Sequence, residues 1–281
     1  MEERALSYCG AEVRRHDPDR FLTALFAPAE RREDLFALYA FNIEVARTRE
    51  MVSEALLGRM RLQWWRESIA GIYAGDQRGH EVARALAQAV ARAGLSRGHF
   101  DRLIDAREAD LDDDPPASLD ALVAYAEGTS SSLVALALEA LGARGEAATV
   151  VARDVGIAWA LTGLLRAVPF HAQRRRLYLP RDLMAVAGAK AGELFERGRT
   201  GGLALVVEQV AARAREHLVA ARSLRRRLPR AALPALLPAT LVDGYLAELR
   251  RARYDPFALD QRGKRTLKPV RLTIAAALGR Y

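Results

Sequence analysis

Two carboxylates four positions apart on a helix share one face, and such a pair can hold magnesium against a diphosphate. Among the pairs with that spacing are Glu50 with Glu54 and Asp101 with Asp105. Arg47 and Arg49 stand beside the first pair and Arg102 and Arg107 beside the second, so surface ion pairing accounts for both equally well. A denser run, Asp110 with Asp112 to Asp114, suits either a bound cation or a solvated acidic turn before Pro115 and Pro116. Arg166 with Arg174, Arg175 and Arg176 has the guanidinium geometry that grips phosphate or carboxylate, unless these are simply exposed arginines of a loop. Trp64 and Trp65 either line an apolar ligand cavity or pack into the core.

Other chemistries find no support. His16, His80, His99, His171 and His217 fall on different segments without ligand spacing. Ser130, Ser131 and Ser132 lack the G-x-S-x-G surroundings of a hydrolase nucleophile, and neither a Walker loop nor a dinucleotide-binding glycine fingerprint occurs.

The elements that would position these residues read as helices almost throughout, with apolar residues at helical period and no alternating β-branched runs. A helix from Asp34 to about Glu54 is apolar on several sides in its first half, which belongs inside a bundle. A second carries Met60, Trp64, Trp65, Ile69 and Tyr73 and stops near Gly75. Short helices follow around Val82 to Val90 and, capped by Ser96, around Phe100 to Ile104. The paired prolines break the chain, Ser118 restarts it, and Gly128 to Ser132 lead into a small-residue helix from Leu133 to Leu141 that permits close backbone approach to a neighbouring helix or a ligand. A long helix from Ala147 to Arg166 ends at Pro169, and Arg174 to Pro180 form a basic exit loop. Leu203 to Leu228, Tyr245 to Tyr254 and a tail including Lys264 to Val270, leading to a last short helix, complete the pattern.

With 281 residues, 51% of them hydrophobic, the chain can close a large core, and no linker divides it. The single Cys9 excludes an internal disulfide and fits a reducing compartment. The net charge of +8 is nearly all arginine dispersed through helices, which argues against nucleic acid and leaves an anionic ligand or membrane surface as partner. The opening MEERALSYCG does not resemble a secretory signal, and no stretch reaches the roughly 20 apolar residues of a spanning helix.

The succession FALYAF, MRLQWW, LIDAREADL, ALVAYAEGTSSSL, and GIAWALTGLLR followed by RRRLYLP resembles the squalene/phytoene synthase superfamily over essentially the whole chain. That resemblance implies an all-α, isoprenoid-synthase-like helical bundle around a central cavity. It also implies two aspartate-rich motifs that bind magnesium and diphosphate on facing helices. Here the first motif reads Asn42, Ile43, Glu44, Val45, Ala46, Arg47, Thr48, Arg49, Glu50, so of the positions where the motif has its aspartates only Glu50 keeps an acid. The second reads Ala160, Leu161, Thr162, Gly163, Leu164, Leu165, Arg166, Ala167, then Phe170 and His171, with no carboxylate. Ala40 to Glu44, Met60 to Trp65, Leu111 to Asp113, Tyr125 to Leu133 and Arg166 to His171 are similar to the branch of respiratory complex I assembly factors.

The resemblance therefore implies a bacterial, non-catalytic relative, one unit over residues 1–281, acting in assembly or stabilisation of respiratory complex I. It would be cytoplasmic and peripheral at the inner membrane, with complex I subunits or assembly intermediates as partners and no cofactor. Asn42, Glu44, Arg61, Gln63, Trp64, Glu127, Ser130 and His171 are the expected polar lining of a retained cavity, with Arg166 and Arg174 to Arg176 meeting the anionic head of a prenyl lipid. The alternatives are a magnesium-dependent head-to-head prenyl diphosphate synthase with a displaced metal site at Glu50, Glu54 and Asp110, and a general helical module at anionic membranes.

Overall fold

The computed structural model describes residues 6–52, 54–76, 79–259 and 267–281. Met1 to Ala5 of the N-terminal stretch, and Lys264 with the rest of residues 260–266, lie outside them. Among the described residues the regular structure is helical, with no strand. In chain order the helices are α1 (Tyr8–His16), α2 (Pro18–Ala24), α3 (Ala29–Ala46), α4 (Ala55–Ala74), α5 (Glu81–Ala93), α6 (Arg97–Ala106), α7 (Leu119–Ala126) and α8 (Ser132–Ala140). They continue with α9 (Glu146–Arg166), α10 (Val168–Gln173), α11 (Arg181–Ala187), α12 (Ala191–Arg197), α13 (Leu203–Ser223), α14 (Leu233–Leu236), α15 (Pro238–Arg251) and α16 (Leu267–Ala277).

As its apolar pattern requires, α3 lies in the interior: Leu35, Phe36, Leu38, Tyr39, Phe41 and Val45 are all buried. It packs against α1, α5 and α8, while α9 lies between α8, α13 and α15. Phe41 meets Trp65 and Phe100 edge-on at 5.2 and 5.4 Å, so Trp65 is a core residue. Ser118 caps α7 by accepting from the Ala121 amide at 3.1 Å, and Gly75 ends α4 at φ 82°.

Several sequence-based boundaries move. The helix expected to reach Glu54 ends at Ala46, and a tight 3-10 turn, Thr48–Met51, carries Glu50. Gly128 to Ser132 do not interrupt the chain; Glu127–Ser131 form a π-helical turn that joins α7 to α8 as one continuous stretch. The small residues serve helix contact. A Cβ on Gly156 of α9 would lie 2.3 Å from Ser131 Cα, and one on Gly128 would lie 2.6 Å from Ala106 Cβ. The helix expected from Tyr245 begins at Pro238, because proline at a first turn loses no internal hydrogen bond.

By length and composition alone, three helical stretches could cross a membrane, Leu119–Ala140, Glu146–Arg166 and Arg230–Arg251, contrary to the expectation of none. Their apolar windows are 67, 61 and 72% buried within the bundle, which explains helices apolar on more than one side.

Candidate functional site

At the acidic segment after α6, three of the candidate residues, Asp110, His171 and Arg176, come together. Asp110 lies in a 3-10 turn, Arg107–Leu111, and is only 4% exposed. Its Oδ1 accepts from the hydroxyls of Tyr125 at 2.7 Å and Tyr178 at 2.8 Å. Its Oδ2 accepts from Arg107 Nη1 at 3.1 Å, and the same nitrogen donates to Tyr125 Oη at 2.8 Å. Burial, reinforced by the Asp110 charge, pushes the Tyr178 phenol up to about 12, so it stays a donor at neutral pH.

The basic loop closes this hub from the other side. Arg175 adopts φ 53°, the left-handed turn beyond the end of α10, and the chain reverses so that Arg176 faces the acidic segment. Arg176 Nη2 donates to the Asp110 carbonyl and its Nη1 to Asp113 Oδ1 at 2.6 Å. The His171 ring lies 4.7 Å from that of Tyr178, and burial lowers its pKa to about 4, against the opposing pull of Asp110. A cleft of ≈ 510 Å³ opens alongside, lined by Asp112, Asp113, Asp114, Tyr125, Arg176 and Tyr178 among others.

The positions of the first expected motif form a separate group. Glu44 is ion-paired to Arg61. Arg47 reaches His16 at 3.3 Å and Glu50 at 4.0 Å, and Ala46 carries no donor. Glu54 sits in extended backbone just before α4, so Glu50 and Glu54 do not share a helix face. The i,i+4 argument for that pair is thus overturned by the early end of α3. Asp101 and Asp105 are taken by Arg97 and Arg66 at 3.2 and 2.9 Å.

On α9, Gly163 is exposed, Ala167 ends the helix, and the Thr162 hydroxyl is buried without a partner. Arg166 does not reach outward for an anion: its guanidinium lies 3.6 Å above the Tyr245 ring. Tyr245 in turn donates to Asp19, whose other oxygen accepts from Lys268 Nζ at 2.7 Å. Arg20 is buried, paired to Asp17 at 2.9 Å and placed over Trp159 at 5.2 Å and Tyr39 at 5.6 Å.

The remaining candidates are dispersed. Asn42 is buried, and the Ser130 hydroxyl is buried without a partner. Trp64 lies edge-on to Trp65 and His80, and Gln63 is exposed and bonded to Glu67 at 3.2 Å, outside any lining, because α4 turns that face to solvent. Glu127 pairs with Arg153 at 3.0 Å, and Arg174 and Arg175 stack on Phe170 and Phe195 at 3.6 and 5.6 Å. His171 and Arg176 are thus brought together, as are Glu44 and Arg61, but the two groups do not form one constellation.

Sequence reasoning missed three buried pairings. Asp34 is fully buried and held by two nitrogens of Arg92 at 2.8 and 3.0 Å. Asp154 of α9 meets His217 of α13 at 2.8 Å. Arg20 with Asp17 is the third. The signal available was an acid or cation inside an otherwise apolar helical face, as at Asp34 before Leu35 and Phe36.

The residues present do not fit a magnesium diphosphate centre. Ala46, Gly163 and Ala167 offer no oxygen side chain, Arg47 and Arg166 bring cations, and both carboxylate oxygens of Asp110 already accept hydrogen bonds. Among the described residues no group of three or more His, Cys, Asp or Glu is placed to hold a metal ion.

Comparison with known proteins agrees with the architecture. The "NADH dehydrogenase (ubiquinone) complex I, assembly factor 6" of Bos taurus is 36% identical over 274 residues, covering 98% of this chain and 82% of its own length. The "Presqualene diphosphate synthase" of Rhodopseudomonas palustris is 28% identical over 211 residues, covering 74% of each chain. A solved dehydrosqualene synthase superposes with a TM-score of 0.84 at 20% identity, over 96% of this chain and 95% of its own, and shares the fold. Residues 13–272 match the sequence profile described as "Squalene/phytoene synthase", and the chain belongs to that family.

Proposed function

We propose that this protein is a non-catalytic member of the squalene/phytoene synthase family that acts in assembly or stabilisation of respiratory complex I, on the cytoplasmic face of the membrane that holds it. The observation that carries this reading is the joint replacement of motif carboxylates. Ala46 and Arg47 stand on one helix end and Gly163 and Ala167 on the other, while the surrounding bundle is kept. Ionising an allylic diphosphate requires cations to neutralise the leaving group and a dry cavity to steer the product. Here the positions that would hold those cations carry alanine, glycine and arginine, and the buried acid Asp110 is spent on Arg107, Tyr125 and Tyr178.

Similarity along 98% of the chain to a relative named as a complex I assembly factor supports the partner. A structural role also suits the closed networks, because side chains that satisfy one another hold a surface rigid for docking rather than standing ready for substrate. Two experiments test the reading. Purified protein given farnesyl or geranylgeranyl diphosphate with magnesium is expected to form no product, and product formation contradicts the non-catalytic assignment. A tagged full chain is expected to co-purify with complex I subunits or assembly intermediates from solubilised membranes, and recovery without them contradicts the partner.

A further inference from the structure

The helix α16 presents an apolar face that no element among the described residues covers. Leu267, Val270, Ile274 and Leu278 are 54, 53, 55 and 59% exposed. Their spacing of three, four and four aligns them along one side of the helix. The opposite side carries Leu272 and Ala275, which are buried against Leu237, Leu241 and Tyr245. The helix is fixed to the body by Lys268, which donates to Asp19 at 2.7 Å, and by the buried Tyr281, whose carbonyl accepts from Arg222 at 2.8 Å. The ridge is therefore preformed.

Charge decides what can cover it. Residues 267–281 contain no Asp or Glu, but they contain Lys268, Arg271 and Arg280. Arg271 is exposed and follows the stripe residue Val270, Arg280 is exposed just beyond the helix, and Arg230 reaches its end by donating to the Ala277 carbonyl at 2.8 Å. An exposed apolar line on a segment that carries cations and no acid of its own fits the boundary between headgroups and acyl chains of an anionic bilayer. Against a second copy of the same ridge, the arginines would face one another without counter-charge.

We propose that α16 is a membrane-surface docking ridge that seats Leu267, Val270, Ile274 and Leu278 in the interfacial layer of an anionic membrane. Arg230, Arg271 and Arg280 contact the headgroups there. The proposal deepens the reading of a protein working at the membrane that holds complex I, although the ridge could bind lipid even if that reading failed.

The test is co-sedimentation of the full chain with vesicles of phosphatidylcholine alone and of equal parts phosphatidylcholine and phosphatidylglycerol. Binding is expected to the mixed vesicles only, weakened by salt, and reduced about tenfold or more by Ile274→Glu with Leu278→Glu. Should that pair perturb folding, the milder Ile274→Ser, at an exposed position, is expected to keep the melting temperature and still weaken binding severalfold. Undiminished binding by folded variants, or equal binding to both vesicle types, overturns the proposal. So does a solution dimer that Ile274→Glu dissociates, since the stripe is then a self-interface. The assembly reading is judged separately by complex I levels in cells lacking the protein, so failure of one is distinguishable from failure of the other.

Discussion

The hydroxyl of Tyr178 donates to Oδ1 of Asp110 at 2.8 Å, tying the loop after α10 to the turn after α6. With Tyr125 on the same oxygen and Arg107 on the other, the Asp110 carboxylate is a structural hub. Asp110→Ala strands a buried guanidinium and two hydroxyls, and is expected to cost about 3–5 kcal/mol. Tyr178→Phe removes one hydrogen bond to a charged group and is expected to cost about 1.5–3 kcal/mol. Urea denaturation of both variants measures the two losses; a neutral Asp110→Ala would mean the hub does not hold the fold.

His171 gives stability a pH dependence. Its pKa is about 4 in the folded protein, because burial disfavours the charged ring. An unfolded histidine takes up its proton near 6.5, so between about 6.5 and 4 the unfolded chain binds more protons, and stability falls as pH falls through that window. The loss from this one group is on the order of 3 kcal/mol when complete. Urea midpoints measured from pH 7 to pH 4 are expected to fall less steeply in His171→Phe than in the parent chain, and equal slopes would contradict the assignment.

Gly156 admits no side chain. A methyl group there would lie 2.3 Å from Ser131 Cα and 2.5 Å from its nitrogen, both main-chain atoms that cannot rotate away. Gly156→Ala is expected to separate α9 from the π-helical turn and destabilise by about 3 kcal/mol, the upper end for overpacking. Thermal unfolding detects this, and an unchanged melting temperature would show that the two segments are not in contact.

Glu50 and Glu54 separate the structural account from an enzymatic one. Both are exposed, on a turn and a helix entry, so Glu50→Ala with Glu54→Ala is expected to change stability by no more than about 0.5 kcal/mol. In cells lacking the protein, the double variant is expected to restore complex I as fully as the parent chain. Loss of restoration with folding intact would return a metal role to these glutamates.

Most helices were legible because their signals are local: apolar period for α3 and α5, Ser118 as a cap, and Gly75 as a stop. The end of α3 was not, because nothing in Arg47, Thr48, Arg49 and Glu50 marks the change to a tighter turn. The continuity through Gly128 to Ser132 was hidden for a different reason. These residues are poor helix formers alone, and contacts with α6 and α9 override that preference. For the site, the absence of motif carboxylates could be read directly. The partners of Asp110, Arg166 and Arg176 could not, because Tyr178, Tyr245 and Asp113 are brought to them from 63 to 79 residues away only by the folded bundle.

The central claim, an isoprenoid-synthase scaffold that supports complex I without metal chemistry, is tested most directly by the amount of assembled complex I in membranes. The strains compared are one lacking the gene and the same strain with the gene restored. The account predicts that assembled complex I falls selectively, other respiratory enzymes hold, and restoration returns it. Unchanged complex I together with a missing prenyl lipid in the same cells would contradict the account and favour an enzyme.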